Sequence, residues 1–232
     1  MKRVVAGFIG LAVVISAAGG ARAQQKMMLG DVLVLRLSDS RPDGAASLFS
    51  HLLQADRGSR KGQYLLLKTT ESREGSESRQ PGAVGGAEYH LLGPSQVGTL
   101  PDVDVLGFHY TKVRPERREA FERFVSEKLH PAVANLRPDL RILYYKPVSG
   151  QTGGNYLAVF ALTRESRDKY WPGGSDSDEL RAAFSPAVRE LTKELSTYLV
   201  EGSYAADPKL AAAVYESRDW TDFVLISPAS AR

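Results

Sequence analysis

The chain has 232 residues, a formal net charge of +3 and no cysteine. Without cysteine it forms no disulfide, carries no lipid on an N-terminal cysteine and offers no thiolate to a metal ion. Its length is sufficient for one large domain or two small ones.

Residues 1–23 have the pattern of an export signal. Lys2 and Arg3 are followed by an apolar run over residues 4–18 and by the small-x-small sequence of residues 21–23. The apolar run is short for a membrane span and is interrupted by glycines, which disfavours the alternative of a retained anchor. We therefore expect an exported protein, periplasmic or extracellular, that begins near Gln24 and has no stable membrane anchor after processing.

The predicted signal segment accounts for the whole net charge. It contains three of the 30 Lys and Arg residues and none of the 27 Asp and Glu residues, so the remainder carries 27 of each. The mature chain is thus formally neutral. A basic surface for a nucleic-acid partner is not expected.

The N-terminal part, residues 24–97, predicts a short α+β unit. Its predicted elements are a strand over 31–37, a helix over 43–55, and strands over 63–71 and 87–93. The first strand is apolar on both faces, so each face is expected to pack against another element. Residues 72–86 are glycine, serine and charge with hardly an apolar side chain, which predicts a mobile loop.

The C-terminal part, residues 98–232, predicts the longer order β-α-β-β-α-β of a ferredoxin-like sheet. Its predicted elements are a strand over 103–113, a helix over 115–136, strands over 140–148 and 155–165, a helical turn over 166–171, a helix over 178–199 broken at Pro186, and a last strand over 219–226. Pro131 lacks a backbone donor, so we expect a kink or break after His130. Ser177 or Asp178 is the expected N-cap of the later helix.

The two parts share a short ungapped similarity. Residues 31–33 and 41–42 are identical to residues 104–106 and 114–115 at one constant offset, and Leu52 falls opposite Val125. This match predicts an internal repeat of strand, turn and helix start. Chance similarity between two strand-helix units is the alternative.

This order, the spacing from Lys112 to Phe121 at the helix start, and strands that are apolar on both faces resemble the dimeric α/β-barrel superfamily. That superfamily includes the antibiotic-biosynthesis monooxygenases. The resemblance covers residues 103–226 well and 31–93 loosely. It implies an α+β fold in which two ferredoxin-like β-α-β-β repeats pack sheet to sheet, either as an intrachain pseudo-dimer or as a homodimer, with a small organic molecule often held between sheet and helices.

Standard catalytic and metal signatures are missing from the sequence. It has no phosphate loop, no Gly-x-Ser-x-Gly elbow, no His-Glu-x-x-His and no dinucleotide fingerprint after a strand. The four histidines are scattered without ligand spacing, and the acids at 176, 178 and 179 suit a helix N-terminus better than a calcium loop. We expect no metal and no cofactor.

His109 is the candidate catalytic residue. It shares a strand face with Gly107, whose missing side chain leaves room beside the imidazole for a ligand. A neutral histidine bonded to a backbone carbonyl is the commoner outcome for such a residue. Asn155 and Tyr144 are candidate ligand contacts, although Asn155 also suits a turn, and Tyr144 and Tyr145 point to opposite faces.

Tyr170, Trp171 and Trp220 complete the candidate ligand-binding set, with core packing as the alternative. In the monooxygenases that the chain resembles, aromatic, Asn, Trp and His residues grip the substrate, and the haem-degrading members use an Asn-Trp-His set. His109, Asn155, Trp171 and Trp220 match those residue types. Their order along the chain differs, so the resemblance transfers no catalytic role to them.

Two functions remain open. The favoured one is an exported α/β-barrel protein that binds a small apolar or aromatic ligand without catalysis. Export supports it because reduced nicotinamide is not available to periplasmic proteins, although a metal-free oxygenase would not need that cofactor. The alternative is a cofactor-independent monooxygenase-like enzyme, in which His109 or a tyrosine takes a proton from a small phenolic or enolic substrate.

Overall fold

The computed structural model describes residues 27, 29–42, 49–70, 86–93, 103–133, 136–148, 155–200 and 220–228. The predicted export signal, nearly all of the predicted mobile loop and the boundary between the two parts at residues 97 and 98 lie outside these ranges. No helix within them is both long and apolar enough to cross a membrane.

Eight strands form one closed sheet in which every neighbouring pair is antiparallel. They are β1 (Val32–Ser38), β2 (His51–Gly58), β3 (Tyr64–Thr70), β4 (Ala87–Leu91), β5 (Val105–Lys112), β6 (Leu140–Pro147), β7 (Asn155–Leu162) and β8 (Trp220–Pro228). The order around the barrel is β1-β3-β2-β8-β5-β7-β6-β4. Closure leaves no strand edge unpaired along the sheet.

The barrel consists of two ferredoxin-like repeats. In each group of four strands the first lies between the fourth and the third, and the third lies between the first and the second. The groups join twice, through β2 with β8 and through β4 with β6. The prediction of two ferredoxin-like repeats in a dimeric-α/β-barrel-like arrangement is therefore confirmed, and the two repeats pair within one chain.

Strands such as β5 and β7 are buried on both faces, as their sequences predict, whereas the outer face of β1 is half-buried at Val34 and exposed at Arg36. On β5, Leu106 and Phe108 point into the barrel with Leu33 and Leu35 of β1. Val105, on the other face of β5, packs outside the barrel against helices. The helices are α1 (Arg118–Phe124), α2 (His130–Val133), α3 (Arg164–Tyr170), α4 (Asp178–Ala183) and α5 (Pro186–Ser196).

The helix predicted over 43–55 is wrong where the structure describes that segment. Residues 51–55 belong to β2, which pairs with β3 and β8, and residues 43–48 lie outside the described ranges. Leu52 therefore occupies a strand whereas Val125 occupies a helical turn, so the ungapped match between the two parts does not hold at this position. Short apolar runs fit both periodicities, and here pairing with two neighbouring strands decides between them.

Helix boundaries follow local capping. The predicted strand over 155–165 ends three residues early, because the Thr163 hydroxyl accepts a hydrogen bond from Ser166 N at 3.0 Å and starts α3. Ser177 caps α4, and α5 begins at Pro186, which confirms the predicted break. At Pro131 the helix continues, preceded by the π-helical turn Val125–Leu129, a wider turn of a kind that is common where a helix is locally disturbed.

Candidate functional site

A cleft lies outside the barrel, between the outer face of the second repeat's sheet and α3. We call it the Gly107 cleft. It is lined by Arg57, Gly107, His109, Phe160, Leu162, Arg167, Trp171, Gly174, Trp220 and Asp222. The cleft encloses about 350 Å³ including its open mouth, of which about 20 Å³ is wide enough for the centre of a water molecule. As it stands, it therefore has room for about one water molecule.

Gly107 creates this cleft because it brings no side chain to the middle of the sheet. It pairs with Phe160 on β7 and with Asp222 on β8. A Cβ at Gly107 would lie 3.0 Å from Asp222 Oδ1 and 3.3 Å from Phe160 Cβ, both tighter than ordinary contact. The glycine thus permits the carboxyl group and the phenyl ring to approach the same point of the strand.

Aromatic rings form the walls. The His109 ring lies 4.6 Å from the Phe160 ring and 6.4 Å from the Trp220 ring, with which it is nearly parallel at 21°. The Trp171 ring meets the Phe160 ring edge-on at 5.8 Å. These distances are typical of stacked and edge-to-face pairs, so the walls suit a planar apolar group.

His109 is only 6% exposed. Burial lowers its pKa to about 3, because the charged imidazolium is disfavoured away from water. The imidazole is therefore neutral at neutral pH and a weak base. Its proposed proton-transfer role stays a prediction, and the protonation state argues for a neutral wall residue.

A cluster of charges closes one end of the cleft. The Arg167 side chain is 7% exposed, and its Nη1 donates to both carboxylate oxygens of Asp56, at 2.9 and 2.8 Å. Its Nε donates to Asp168 at 3.1 Å, and Asp168 also accepts from Arg57 Nη2 at 2.7 Å. Arg167 Nη1 lies 4.0 Å from Asp222 Oδ2. The arginines thus hold the first strand group and α3 together beside the cleft.

A bulge in β2 brings two of these charges to the same side. Ala55 pairs with Phe223 of β8 and Arg57 pairs with the adjacent Asp222, so Asp56 is the extra residue. Regular alternation would send Asp56 and Arg57 to opposite faces, yet both contact α3. Bulges re-aim side chains in this way beside functional sites.

Asp222 is the titratable group best placed to act near neutral pH. Its side chain is 13% exposed, and burial raises its pKa to about 6 even though Arg167 opposes that rise. One carboxylate oxygen, Oδ1, lies 3.0 Å from where a Cβ on Gly107 would be. A carboxyl group that lines the cleft can accept a proton or a hydrogen bond from a molecule bound there.

Four of the predicted site residues meet in the Gly107 cleft: Gly107, His109, Trp171 and Trp220. Tyr144, Asn155 and Tyr170 lie outside this cleft. Trp220 and His109 face each other because they are paired positions on β8 and β5. Trp171 arrives from the turn that follows α3.

Tyr170 is fully buried behind Trp171 and belongs to the packing of the helices. Its hydroxyl donates to Asp139 and accepts from Arg137 Nε at 3.1 Å. Tyr144 is half-buried against the outer core, opposite Ala158. Asn155 opens β7 at the far end of the pairing with β5, where its partner is Lys112.

Sequence reasoning missed four residues that line the cleft: Arg57, Phe160, Arg167 and Asp222. Asp222 had a detectable signal, because it lies two residues after Trp220 on the same face of an apolar strand. The arginines had none, since their placement depends on the bulge and on the docking of α3. Across the described residues, no group of three or more His, Cys, Asp or Glu could hold a metal ion.

Comparison with known proteins finds similarity in structure alone. No protein-family model matches the sequence, and no curated protein is detectably similar. Similarity at low sequence identity is found to solved structures, one of them a ferredoxin-fold protein related to antibiotic-biosynthesis monooxygenases.

One such structure is an uncharacterised ferredoxin-fold protein of Listeria monocytogenes related to antibiotic-biosynthesis monooxygenases. Its TM-score is 0.42 at 15% identity, over 86% of this chain and 97% of the other. An anthrone oxidase-like protein scores 0.43 at 10% identity, over 84% and 91%. A putative monooxygenase of Lactobacillus acidophilus scores 0.44 at 9% identity, over 84% and 92%. The class that the topology defines is thus a single-chain barrel of two ferredoxin-like repeats.

Proposed function

We propose that the protein is exported and binds a small aromatic or otherwise apolar molecule in the Gly107 cleft without converting it. The observation that carries this proposal is the cleft with aromatic walls at Gly107, in the middle of a sheet face that helices otherwise cover. Ligand sites of this kind are concave, apolar and furnished with a few polar groups at one end. The aromatic walls and the charge cluster correspond to those two parts.

Binding requires Trp171 to move, because the closed cleft holds about one water molecule. Trp171 is half-buried and ends α3, and the turn Pro172–Gly174 follows it. Gly173 and Gly174 have φ values of 63° and 91°, and nothing lies within 4 Å of where a Cβ would be. The tryptophan thus stands beside an open surface turn, which leaves space for it to swing outward.

Intrinsic fluorescence tests the site directly, because the chain has two tryptophans and both line the cleft. We expect saturable quenching by small aromatic molecules, and loss of that quenching in Gly107→Val. Trp171→Phe separates the two signals, since only Trp220 then reports. Binding that is unchanged in a folded Gly107→Val protein would overturn the proposal.

A second candidate is a cofactor-independent monooxygenase-like enzyme that acts on a small phenolic or enolic substrate. The observation in its favour is the Asp222 carboxyl group, whose pKa is raised to about 6 at the edge of an aromatic cleft. Oxygen uptake on a panel of phenols and enols distinguishes the candidates. Uptake that disappears in Asp222→Asn would replace the non-catalytic proposal with the enzymatic one.

Export is tested separately. We expect the protein in the periplasmic or extracellular fraction of its host, with a mature N-terminus near Gln24 by intact mass. A cytoplasmic protein that retains its first 23 residues would contradict this part of the proposal.

A further inference from the structure

The polar end of the Gly107 cleft has one carboxylate with acceptor capacity to spare. Within the described ranges, the ion pair of Asp222 is with Arg167, and its atoms are 4.0 Å apart, beyond hydrogen-bond distance. Asp222 lines the cleft, and its Oδ1 lies 3.0 Å from where a Cβ on Gly107 would be, at the floor of the cleft. A carboxylate accepts several hydrogen bonds, and this one lines the space where a ligand would lie.

The two arginines of the cleft are already engaged with other carboxylates. Arg167 donates to Asp56 at 2.9 and 2.8 Å and to Asp168 at 3.1 Å. Arg57 donates to Asp168 at 2.7 Å and approaches the Trp171 carbonyl oxygen at 3.4 Å. Their donors therefore point along α3 and β2, and a ligand anion would have to displace an existing ion pair to use them.

Among the described residues, the balance of charge at this end is negative when Asp222 is ionised. Two arginines stand against Asp56, Asp168 and Asp222, and the neighbouring His109 is neutral at neutral pH. Opposite charges attract strongly only where water is excluded, and like charges repel there for the same reason. A ligand with its own carboxylate would thus meet net repulsion in the cleft.

From this geometry we infer that Asp222 determines ligand specificity: its carboxylate accepts a hydrogen bond from a hydroxyl or amino group on the ligand ring, and ligands whose polar group is a carboxylate are rejected. This inference rests on the proposed function of the cleft. A buried acceptor that receives no donor loses its hydration without replacement, so a ligand of the same shape without a donor binds more weakly.

Three ring-matched probes test the inference by tryptophan fluorescence at pH 8: phenol, anisole and benzoate. Phenol offers a donor, anisole replaces it with a methyl ether, and benzoate carries a negative charge. We expect phenol to bind about tenfold more tightly than anisole, the usual size of one hydrogen bond to a charged group. Benzoate should bind more weakly than either.

Asp222→Asn is the diagnostic variant because it keeps the shape and removes the charge. We expect the preference for phenol over anisole to shrink to about threefold or less, since an amide is a weaker acceptor, and the penalty on benzoate to disappear. The matched control is Glu88→Gln, an acid on the outer face of β4 opposite Val34, which should change no probe affinity. Thermal melts establish that both variants are folded.

The pH dependence provides an independent readout. The groups that face Asp222 are Arg167 and Asp168 from α3, Asp56 and Arg57 from β2, and His109 from β5. The wild-type preference for phenol should be full above pH 7 and decline below pH of about 6, where Asp222 becomes protonated. Asp222→Asn should show no such decline.

The possible outcomes distinguish a failure of the proposed binding function from a failure of the role assigned to Asp222. Failure of all three probes to quench either tryptophan would count against the proposed function itself. Anisole binding as tightly as phenol, or an unchanged preference in Asp222→Asn, would overturn the role of Asp222 and leave the binding cleft standing. Tightest binding by benzoate would also overturn it, because the arginines would then set the specificity.

Discussion

The two repeats share a strand order but differ on their outer faces. On β1 of the first repeat, Val34 lies opposite Glu88 of β4, and at the same register of β5 in the second repeat Gly107 lies opposite Asp222 of β8. In both first strands the residue just before this position, Leu33 in β1 and Leu106 in β5, points into the barrel. One backbone arrangement thus carries a valine side chain in one repeat, whereas in the other Asp222 and Phe160 approach a glycine closely.

The strand positions two residues further along differ in exposure as well. Arg36, two residues after Val34, is exposed, whereas His109, two residues after Gly107, is 6% exposed beneath the helices of the second repeat. The same strand position therefore holds a hydrated cation in one repeat and a neutral imidazole in the other. A site requires both the missing side chain and the cover.

The largest difference in unfolding free energy is expected between the hydrophobic clusters on the outer faces of the two repeats. Phe121, 1% exposed, packs in the extensive core beneath the helices, and Phe121→Ala should cost about 3–5 kcal/mol of unfolding free energy. Phe49→Ala is the matched change in the cluster that Phe49 forms with Leu52 and Leu66, and should cost less because the described residues give Phe49 fewer buried apolar partners there. Urea denaturation measures both. Equal losses would mean that the outer faces are similarly packed.

Asp222→Asn should stabilise the protein at high pH. The folded pKa of Asp222 is about 6 against a reference of 3.8, so the unfolded chain ionises first and the folded state loses stability as pH rises from about 4 to 6. The asparagine removes that loss, which corresponds to at most about 3 kcal/mol for a shift of about two pH units. Melts at pH 8 and pH 3.5 should show a gain at pH 8 only, and Glu88→Gln should show neither. A gain of equal size at both pH values would contradict this origin.

Gly107→Val makes the second repeat resemble the first. The added side chain should cost about 1–3 kcal/mol by overpacking against Asp222 and Phe160, and should abolish ligand quenching of the tryptophans. Val34→Ala is the reciprocal change, and should leave ligand binding intact. Unfolding and fluorescence titrations measure the two effects separately. A variant as stable as the wild type would show that the cleft has more room than its distances indicate.

The smallest effect on stability is expected at Arg36, two residues after Val34 on β1. Arg36→Ala removes an exposed side chain and should change the unfolding free energy by no more than about 0.5 kcal/mol. His109→Ala, at the same register of the second repeat, should cost about 1–3 kcal/mol, because its ring packs against Phe160 and Trp220. Parallel urea titrations compare the pair. A costly Arg36→Ala would reveal cover on the first repeat.

Part of the site was predictable because strands alternate. Alternation alone places Gly107 and His109 on one face, and it places Asp222 with Trp220 on one face of the last strand. The same periodicity failed at residues 51–55, where a short apolar run also fits a helix. Nearness in sequence was a poor guide to the site at Tyr170. It precedes the cleft residue Trp171, yet its hydroxyl donates to Asp139.

The amino-acid sequence by itself determined that most strands are buried on both faces and that Gly107 brings no side chain to the helix-covered face of the second repeat, because side-chain periodicity is a local property. Tertiary structure alone decided that the barrel closes within one chain, that a bulge turns Asp56 and Arg57 toward α3, and that Asp222 meets Gly107. Those outcomes depend on the register between strands far apart in the chain, and register follows from the packing of the whole barrel.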